Sequence, residues 1–474
     1  MHDLYVLGVV VIEIIKIIAI IHVLVDNRQP VKTMAWMLVI YFLPLVGVVF
    51  YLFFGVNTRR QRMVSERSMN QLTKRSMLEF VEQHDLHVPD ECRKLVDLFV
   101  NENFSLPFKD NAVDIYTEGY GFFRQLLKDI HGAQGHIHMD FYIFEDDALG
   151  RLVADALIDK ARQGVEVRVI YDDVGCWHVG RAFFERMREA GIEVNPFLPV
   201  RFPSFTSKVN YRNHRKIVVI DGRVGYIGGM NIALRYVKGT GRGAWRDTML
   251  RLRGGAVYGL QRSFLVDWYF VDRTLISHRR YYPPLDGSTV GDGLAQIVTS
   301  GPVTPYLEIM QGYVRVILAA RRYVYIETPY FLPTESVLFA LKTAVMGGVD
   351  VRLIVPRYSD ARFVEWASRS YLRDVAKTGV SVFLYEDGFL HSKLLVSDDS
   401  VVSCGSTNVD FRSFENNFEA NAFFYDASVA RRFREVFLAD QLRSVDFAEV
   451  CDLGRISFAR RLWESITRLF SPLL

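Results

Sequence analysis

Cysteine is scarce in this chain, which has four among 474 residues: Cys92, Cys176, Cys404 and Cys451. They lie far apart and show no metal-ligand spacing, so neither a zinc site nor a disulfide framework is expected. A strong excess of one charge is also missing, because 57 basic and 54 acidic residues leave a formal charge of +3. A nearly neutral chain of this length gives no support for wholesale nucleic-acid binding, and no nucleic acid is predicted as a partner.

Long apolar runs are present near the N-terminus, at about residues 4–25 and 34–56. Each is long enough to cross a bilayer as a helix. The second has no charged residue, whereas the first carries Glu13 and Lys16, which lie three apart and so on one helical face. A helix at the membrane interface and a signal peptide are alternatives for the first run, but no small-residue cleavage site follows it. We expect a transmembrane hairpin over residues 1–57.

Basic residues around the hairpin predict its orientation. The turn "DNRQPVKT" holds two basic residues against one aspartate, whereas four arginines follow the second run within residues 59–67. Because basic residues favour the cytoplasmic side, the short turn is predicted outside and the rest of the chain inside. The chain is therefore predicted to be a multi-pass membrane protein with cytoplasmic lobes.

The remainder of the chain repeats itself. "GVEVRVIYDD" (164–173) matches "GVDVRLIVPR" (348–357), and similar strand-like and helix-like segments flank each copy. Strands that alternate with helices predict an α/β fold with buried sheets. We expect two lobes related by internal duplication, over residues 111–295 and 296–474, with a charged helical linker at 58–110.

Two further stretches have more than one interpretation. The C-terminal "RISFARRLWESITRLFSPLL" (455–474) predicts an amphipathic helix, with its apolar residues on one face and arginines on or near the other. Such a helix can lie on an anionic membrane surface or can close the second lobe. The apolar "VNPFLPVRFPSF" (194–205) is interpreted either as an internally packed loop or as a loop that dips into lipid.

Two stretches carry a histidine and a lysine two residues apart, "YRNHRKIVVIDG" and "LHSKLLVSDD". On a β-strand such residues share a face, so His214 projects with Lys216, and His391 projects with Lys393. One group of each pair can attack or protonate at a phosphate ester while the other binds its oxygens. An aspartate follows five residues after each lysine, at the opposite parity, so alternation makes Asp221 and Asp398 supporting residues.

A turn of small residues follows each aspartate after seven residues, and each turn ends in an asparagine. Glycines let backbone N–H groups approach an anion, and asparagine adds a side-chain donor. The predicted phosphate-binding residues are therefore Gly228, Gly229 and Asn231 in the first copy and Gly405, Ser406 and Asn408 in the second. Serine occurs in the second copy alone, so any hydroxyl contact is one-sided. A neutral histidine also needs an orienting acceptor, and the strands that follow the turns bring forward Asp247 and Glu419 for that role.

A single His-x-Lys arises readily by chance, but this whole set occurs twice, in one order, within duplicated lobes. A metal site is disfavoured, because a lysine beside each histidine repels a divalent cation and no clustered carboxylates supply ligands. We therefore predict a phosphodiester site without a metal or other cofactor.

The paired His-x-Lys-x4-Asp motifs resemble those of the phospholipase D superfamily. Over nearly its whole length the chain is similar to bacterial cardiolipin synthases, and the similarity is carried by "MAWMLVIYFLPLVGVVFYLFFG", "YRNHRKIVVIDG", "GGMNI", "WRDTMLRL", "TPYFLP", "FRSFENNFEAN" and "RLFSPLL". The resemblance implies two phospholipase D-like lobes with one active site between them and no metal. It also implies transfer of a phosphatidyl group from one phosphatidylglycerol to another, with release of glycerol, at the bacterial inner membrane.

Roles for individual residues come from the same resemblance. It implies that His214 attacks phosphorus to form a phosphatidyl-histidine and that His391 acts as acid and base; the sequence itself leaves that order open. Lys216, Lys393, Asn231 and Asn408 would hold the charge on the phosphoryl oxygens. Asp221 and Asp398 match the motif positions and are included in the active site despite the alternation argument.

Other functions remain open at this point. A phospholipase D would pass the same intermediate to water and produce phosphatidic acid, and a related transferase would use phosphatidylethanolamine. A membrane-tethered nuclease would need a basic, aromatic groove, which is not evident. A non-catalytic scaffold should have lost a histidine or lysine, and all four are present. No oligomeric state is predicted.

Overall fold

The computed structural model of the chain describes residues 2–26, 30–55, 86–200, 210–241, 243–285, 291, 293–451 and 457–473. Several predicted features lie outside the described residues. They are the arginines within 59–67, the first half of the linker 58–110 and the end of the stretch 194–205.

The first apolar run forms one helix, α1 (His2–Asp26). Tyr5–Val25 is the one helical segment in the described part of the chain that is long and apolar enough to cross a membrane. Glu13 and Lys16 form an ion pair of 2.5 Å on one face of this helix, as their spacing predicts.

The second apolar run departs from the single helix predicted over 34–56. It is divided into two short helices, α2 (Pro30–Phe42) and α3 (Pro44–Phe54). Pro44 has no N–H for the helical hydrogen bond, and its ring clashes with the carbonyl of the preceding turn, so the helix ends there. The two helices fold back so closely that a Cβ on Gly47 would lie 2.7 Å from the carbonyl oxygen of Val39. The predicted two-helix hairpin is therefore only partly supported.

Helix α4 (Asp90–Asn103) lies in the predicted linker but packs against the second lobe. Its buried residues recur at helical spacing and join the core of that lobe: Cys92, Leu95, Val96 and Phe99. The ring of Phe99 lies 4.6 Å from that of Phe423. The domain boundaries 1–57, 58–110, 111–295 and 296–474 remain predictions from the sequence. The core of the second lobe includes residues of the predicted linker.

The first lobe alternates strands with helices. Its strands are β1 (Pro107–Tyr116), β2 (His136–Phe141), β3 (Glu166–Asp172), β4 (Glu193–Phe197), β5 (Lys216–Ile220), β6 (Val224–Gly228), β7 (Trp245–Arg246) and β8 (Met249–Arg253). Its helices are α5 (Gly119–Gly132), α6 (Ala148–Arg162), α7 (Arg181–Glu189), α8 (Arg235–Lys238) and α9 (Ala256–Asp272). Strands such as β5 are buried throughout, because helices cover the sheet.

The second lobe repeats this arrangement. Its strands are β9 (Gly293–Ser300), β10 (Tyr323–Glu327), β11 (Phe331–Leu332), β12 (Asp350–Pro356), β13 (Ser381–Tyr385), β14 (Phe389–Leu390), β15 (Leu394–Ser397), β16 (Val401–Gly405), β17 (Val409–Asp410), β18 (Glu419–Phe424) and β19 (Ser444–Asp446). Its helices are α10 (Glu308–Ala319), α11 (Glu335–Met346), α12 (Arg362–Ala376), α13 (Phe411–Glu415), α14 (Ala427–Gln441), α15 (Phe447–Val450) and α16 (Phe458–Leu469).

The two lobes share one sheet of 15 strands in the order β19-β13-β12-β10-β15-β16-β18-β9-β1-β8-β6-β5-β2-β3-β4. Strands β1 and β9 pair antiparallel at its centre. From this pair outward, β8-β6-β5-β2-β3-β4 corresponds strand for strand to β18-β16-β15-β10-β12-β13. The predicted α/β class is confirmed, and the duplication gives a pseudo-twofold axis between β1 and β9. A core cluster with members from both lobes lies against this central region.

Helix α16 packs against α12 with its polar side. Glu464 and Thr467 are buried, and Glu464 forms an ion pair with Arg373. Its apolar side remains exposed; Phe458 is 80% and Leu469 78% accessible. The helix therefore closes the second lobe and presents an apolar surface at the same time.

Phe197, in the stretch with two interpretations, is buried at the end of β4. Its ring lies 4.8 Å from that of Phe270 and 5.0 Å from that of Phe418. This residue packs internally, and residues 201–209 lie outside the described residues.

Candidate active site between the two lobes

The two histidine motifs are held against the opposite lobe by backbone pairing. Asn213 forms a parallel bridge with Phe418, and β14 pairs in parallel with β7. The His214 N–H donates to the Phe418 carbonyl over 2.9 Å, and the His391 N–H donates to the Arg246 carbonyl over 2.6 Å. His214 is thus hydrogen-bonded to the residue before Glu419, and His391 to the residue before Asp247.

The histidine–carboxylate pairs are crossed between the lobes. His214 Nδ1 lies 3.0 Å from Glu419 Oε1, and His391 Nδ1 lies 2.7 Å from Asp247 Oδ2. An Nδ1–H that donates to a carboxylate leaves Nε2 as the ring nitrogen that can attack or accept a proton. These are the contacts that the predicted orienting role requires, but the sequence did not predict that each acid would come from the other lobe.

Asp247 and Glu419 remain ionised although both are buried. Burial raises the pKa of Asp247, but the ammonium of Lys393 and the ring of His391 outweigh it and hold the pKa below its ordinary value. Burial likewise opposes ionisation of Glu419, and His214 and Lys216 hold its pKa low. Each buried carboxylate can therefore stabilise an imidazolium when one forms.

Burial and like charge shift the bases in the opposite direction. Burial, together with the nearby lysines, lowers the pKa of His214 and brings that of His391 to about 4. The lysine of each motif acts on the histidine of the other, so the four groups form one electrostatic cluster. Burial also lowers the pKa of Lys216 to about 7 and depresses that of Lys393.

The two lysines lie behind the histidines. Lys216 Nζ donates to the carbonyl oxygen of His214 over 2.6 Å, and Lys393 Nζ donates to that of His391. The Lys393 ammonium also lies 2.8 Å from His391 Nδ1. Both side chains are buried, so a phosphate between the histidines would meet their positive field in a site of low dielectric.

The predicted small-residue turns have a different use from the one expected. The N–H groups of Gly229 and Ser406 do not point to an anion, because they donate to the carbonyl oxygens of Thr248 and Ala420. Glycine is required at 229 because a Cβ there would lie 2.1 Å from Asp247 Oδ1. In the second lobe the Ser406 hydroxyl donates to Glu419 instead. The turns therefore define the space in which each of the two carboxylates lies.

Gly228 and Gly405 permit close strand contact. A Cβ on Gly228 would lie 2.4 Å from the Thr248 carbonyl oxygen, and one on Gly405 would lie 2.3 Å from that of Ala420. Neither glycine is among the residues that line the cavity between the lobes, which holds both histidines, so the role of both is to allow close backbone packing.

Asn231 and Asn408 do line the cavity beside the histidines. The Asn231 side chain accepts from the Ile143 N–H over 3.0 Å and donates to the Tyr236 hydroxyl over 2.8 Å. One amide hydrogen of Asn231 remains for a ligand. The buried Asn408 Oδ1 has no hydrogen-bond partner among the described residues.

Asp221 and Asp398 lie at the far ends of β5 and β15, in the left-handed conformation with φ of 53° and 54°. Three successive backbone N–H groups donate to each carboxylate, from residues 134–136 to Asp221 and from 321–323 to Asp398. These bonds tie each strand to the start of β2 or β10. The structure places neither aspartate at the cavity. This agrees with strand alternation and not with the catalytic role that the motif implies, so we exclude both from the proposed chemistry.

His214 and His391 line one cavity of about 560 Å³ between the lobes. Each base has an aromatic neighbour; the ring of Tyr142 lies 5.0 Å from that of His214, and the ring of Trp245 lies 5.5 Å from that of His391. Sequence reasoning missed most of the lining: Tyr142, Ile143, Arg212, Arg235, Tyr236, Trp245, Tyr330, Asp360, Asp410, Arg412 and Asn417. One signal was available, because Arg235 and Arg412 each follow the turn asparagine by four residues.

Comparison with known proteins gives matches along the chain. Residues 126–241 and 313–441 match the family described as "Cardiolipin synthase, PLD-like domain". Residues 14–55 match the phospholipase D-nuclease N-terminal family. The two matched segments fall in the two lobes, which confirms the predicted pair of phospholipase D-like lobes.

Curated relatives match the chain over nearly its full length. The chain is 39% identical to the major cardiolipin synthase of Bacillus subtilis, over 97% of both chains. It is 40% identical to a cardiolipin synthase of Oceanobacillus iheyensis, over 96% of both. Among solved structures, a phosphatidylserine synthase of Haemophilus influenzae has a TM-score of 0.63 at 14% identity, covering 80% of this chain and 98% of its own. At that identity the likeness shows a shared fold.

Proposed function

Since the chain belongs to the family of cardiolipin synthases with a phospholipase D-like domain, we propose that it joins two phosphatidylglycerol molecules into cardiolipin and glycerol. The observation that carries this proposal is the pair of histidines in one cavity, each held by a buried carboxylate. Two oriented bases at one phosphorus are what a two-step transfer requires.

In the first step His214 Nε2 attacks the phosphorus of the donor lipid. The bond from phosphorus to the glycerol oxygen breaks, and His391 gives its proton to that oxygen, so that glycerol leaves. Binding of an anionic phosphodiester offsets the two lysine charges, which raises the pKa of His391 and supplies the acid form. Glu419 stabilises the positive charge that develops on His214.

In the second step His391 is the base. It removes the proton from a hydroxyl of the second phosphatidylglycerol, whose oxygen then attacks the phosphatidyl-histidine. The phosphorus–nitrogen bond breaks, cardiolipin forms, and both histidines return to their starting states. Lys216 and Lys393 hold the charge on the phosphoryl oxygens in both steps, supported by the amide groups of the two turn asparagines.

The rings around the histidines support transfer over hydrolysis. Tyr142 lies beside His214 and Trp245 beside His391, and Tyr236 and Tyr330 line the same cavity. An intermediate that is open to bulk water would hydrolyse, so a synthase must admit a lipid alcohol while restricting water.

The protein is associated with membrane phospholipids, and we propose that α16 contributes to that contact. Its exposed apolar side includes Leu462 and Trp463, with Arg460 and Arg461 adjacent in sequence. Such a surface can enter the headgroup region of an anionic bilayer. A Leu469→Cys variant with an environment-sensitive dye tests this, because the native cysteines are buried. In proteoliposomes its emission should shift to the blue and be quenched by lipid-borne quencher; emission as in detergent-free buffer would contradict the contact.

We further propose a multi-pass anchor in the bacterial cell membrane, with the lobes in the cytoplasm. The arginines of 59–67 support this orientation through their charge. Two passages require α2 and α3 to straighten at Pro44 within the bilayer. A cysteine placed at residue 28 should react with an impermeant reagent from outside intact cells, and one placed at the exposed Leu442 should not. Labelling in the opposite sense would reverse the topology.

Mass spectrometry of the lipid products tests the reaction. Purified protein in detergent receives phosphatidylglycerol alone, with a chelator present. Cardiolipin and free glycerol in equal amounts are expected. Phosphatidic acid as the sole product would replace the synthase with a phospholipase D, and cardiolipin from a mixture only when phosphatidylethanolamine is added would change the donor.

A further inference from the structure

The duplication places one arginine of each lobe in the wall of the active-site cavity. Arg235 follows Asn231 by four residues, and Arg412 follows Asn408 by four. Both line the cavity that holds the histidines. The two arginines are therefore equivalent positions of one repeated element, and their surroundings can be compared directly.

Their surroundings differ in charge. Arg235 lies 3.5 Å from the carboxylate of Glu145 and over the ring of Trp245 at 5.6 Å. Phe144 bridges to Ile232 in the first lobe as Phe331 pairs with Val409 in the second. The next residue after each phenylalanine is Glu145 in the first lobe and Leu332 in the second. The duplicated element thus supplies a carboxylate partner to Arg235 in the first lobe, whereas the equivalent position in the second lobe is aliphatic.

The two carboxylates that line the cavity together with Arg412 are engaged elsewhere. Asp410 accepts from the Ser413 N–H over 2.6 Å at the start of α13. Asp360 accepts from the Tyr330 hydroxyl over 2.9 Å. Within the described part of the chain no acidic side chain forms an ion pair with the Arg412 guanidinium. It is half-buried, and its charge acts on Tyr142, the residue that packs against His214.

A second lipid brings a second anion into this cavity. Phosphatidylglycerol as acceptor carries its own phosphodiester on the same glycerol that holds the attacking hydroxyl. When that hydroxyl reaches the phosphorus held between the histidines, the acceptor phosphate must lie only a few bonds away. Two phosphates this close repel each other in a site of low dielectric unless a cation lies beside the second one.

We propose that Arg412 binds the phosphodiester of the acceptor lipid and so favours a lipid alcohol over water. The proposal rests on the proposed transfer reaction and adds a separate acceptor subsite to it. A guanidinium binds a phosphate through two parallel hydrogen bonds, which also fixes where the acceptor hydroxyl points. Water has no negative charge, so the guanidinium does not strengthen its binding. Arg235, whose charge is already matched by Glu145, does not serve as the equivalent site.

Two soluble acceptors that differ in one phosphate isolate this contact. Phosphatidylglycerol in detergent is incubated with equal concentrations of isotope-labelled glycerol and glycerol 3-phosphate. Transfer to glycerol gives labelled phosphatidylglycerol, and transfer to glycerol 3-phosphate gives phosphatidylglycerol phosphate. Arg412→Leu should lower the ratio of kcat/KM for glycerol phosphate to that for glycerol about 10- to 100-fold, the range for loss of hydrogen bonds to a charged group. Arg412→Lys should fall between Leu and the unchanged protein.

Arg235→Leu is the matched variant, and it should shift this acceptor ratio far less than Arg412→Leu. Equal loss of transfer to both acceptors in Arg412→Leu, with the thermal unfolding temperature unchanged, would overturn the acceptor subsite, as would an unaltered ratio. Cardiolipin formation by the unchanged protein is measured in parallel. Its absence would refute the proposed synthase reaction while the ratio still decided whether Arg412 recognises an acceptor phosphate.

Discussion

The crossed pairing of histidines and carboxylates predicts which step each acid controls. Glu419→Gln should impair His214, although His214 belongs to the other lobe, and Asp247→Asn should impair His391. With His214 as nucleophile, the glutamine variant should form the phosphatidyl-histidine slowly. The asparagine variant should form it normally from a donor whose leaving group needs no proton, and then fail to pass it on.

The size of the effect follows from the contacts. Each substitution replaces a charge-assisted hydrogen bond in a fully buried place, which contributes about 1.5–3 kcal/mol. The amide also fails to hold the tautomer in which Nε2 is free. The lost bond alone corresponds to a decrease of about 10- to 100-fold. Because full loss of general acid–base catalysis costs about 10²- to 10⁴-fold, we expect the two effects together to slow the affected step by about 10²-fold or more.

Rapid quench with a phosphatidyl nitrophenyl ester separates the two steps. The burst of nitrophenol reports formation of the intermediate, and the later steady rate reports its transfer. A normal burst with a slow steady phase is expected for Asp247→Asn, and a suppressed burst for Glu419→Gln. Uncrossed results, with Asp247→Asn losing the burst and Glu419→Gln keeping it, would refute either the pairing or the assignment of His214 as nucleophile. His214→Ala and His391→Ala distinguish these two causes, because they report the roles of the histidines directly.

Three further outcomes are expected. Burial lowers the pKa of Lys216 to about 7, so its ammonium loses a proton as the pH rises through that value and kcat/KM should fall on the alkaline side. Lys216→Arg should remove this alkaline decrease. An unchanged decrease in the variant would mean that another group causes it. Gly229→Ala should lower kcat about 10²-fold or more, because the added Cβ displaces the Asp247 carboxylate. Gly132→Ala is the control, because a Cβ there meets no atom within 4 Å. Ser406→Ala should lower kcat about 10-fold by removing a hydrogen bond to Glu419, and unchanged burst kinetics would contradict that link.

Much of the fold could be predicted because the chain repeats its own pattern. Alternating strands and helices in two copies indicated paired α/β lobes, and the paired motifs placed the two histidines together. The bend at Pro44 was missed because the prediction used only the length of the apolar run. A proline within a helical run ends the helix, and this signal was not used. Helix α4 lies in the predicted helical linker, but its packing into the second lobe was missed because its charged residues concealed apolar side chains at helical spacing.

The site shows a similar limit. Strand alternation predicted correctly that Asp221 points away from the histidines, and the motif resemblance alone put it in the catalytic set. The carboxylates could be found from their strands, but their exchange between lobes could not, because it depends on the pairing of β7 with β14 and of Asn213 with Phe418. The glycines at 228 and 229 were misinterpreted because close backbone contact and anion binding require the same residue.

The exchange of carboxylates also bears on how this duplication can change over generations. After a duplication one copy is ordinarily free to diverge while the other keeps the activity. In the proposed mechanism a substitution at Glu419 would disable the histidine of the first copy, and one at Asp247 would disable that of the second. On that mechanism neither copy could lose its carboxylate without stopping the other, and we expect neither to be active if the chain were cut between β8 and β9 and the halves kept apart. The two copies are bound to be inherited as a single functional unit.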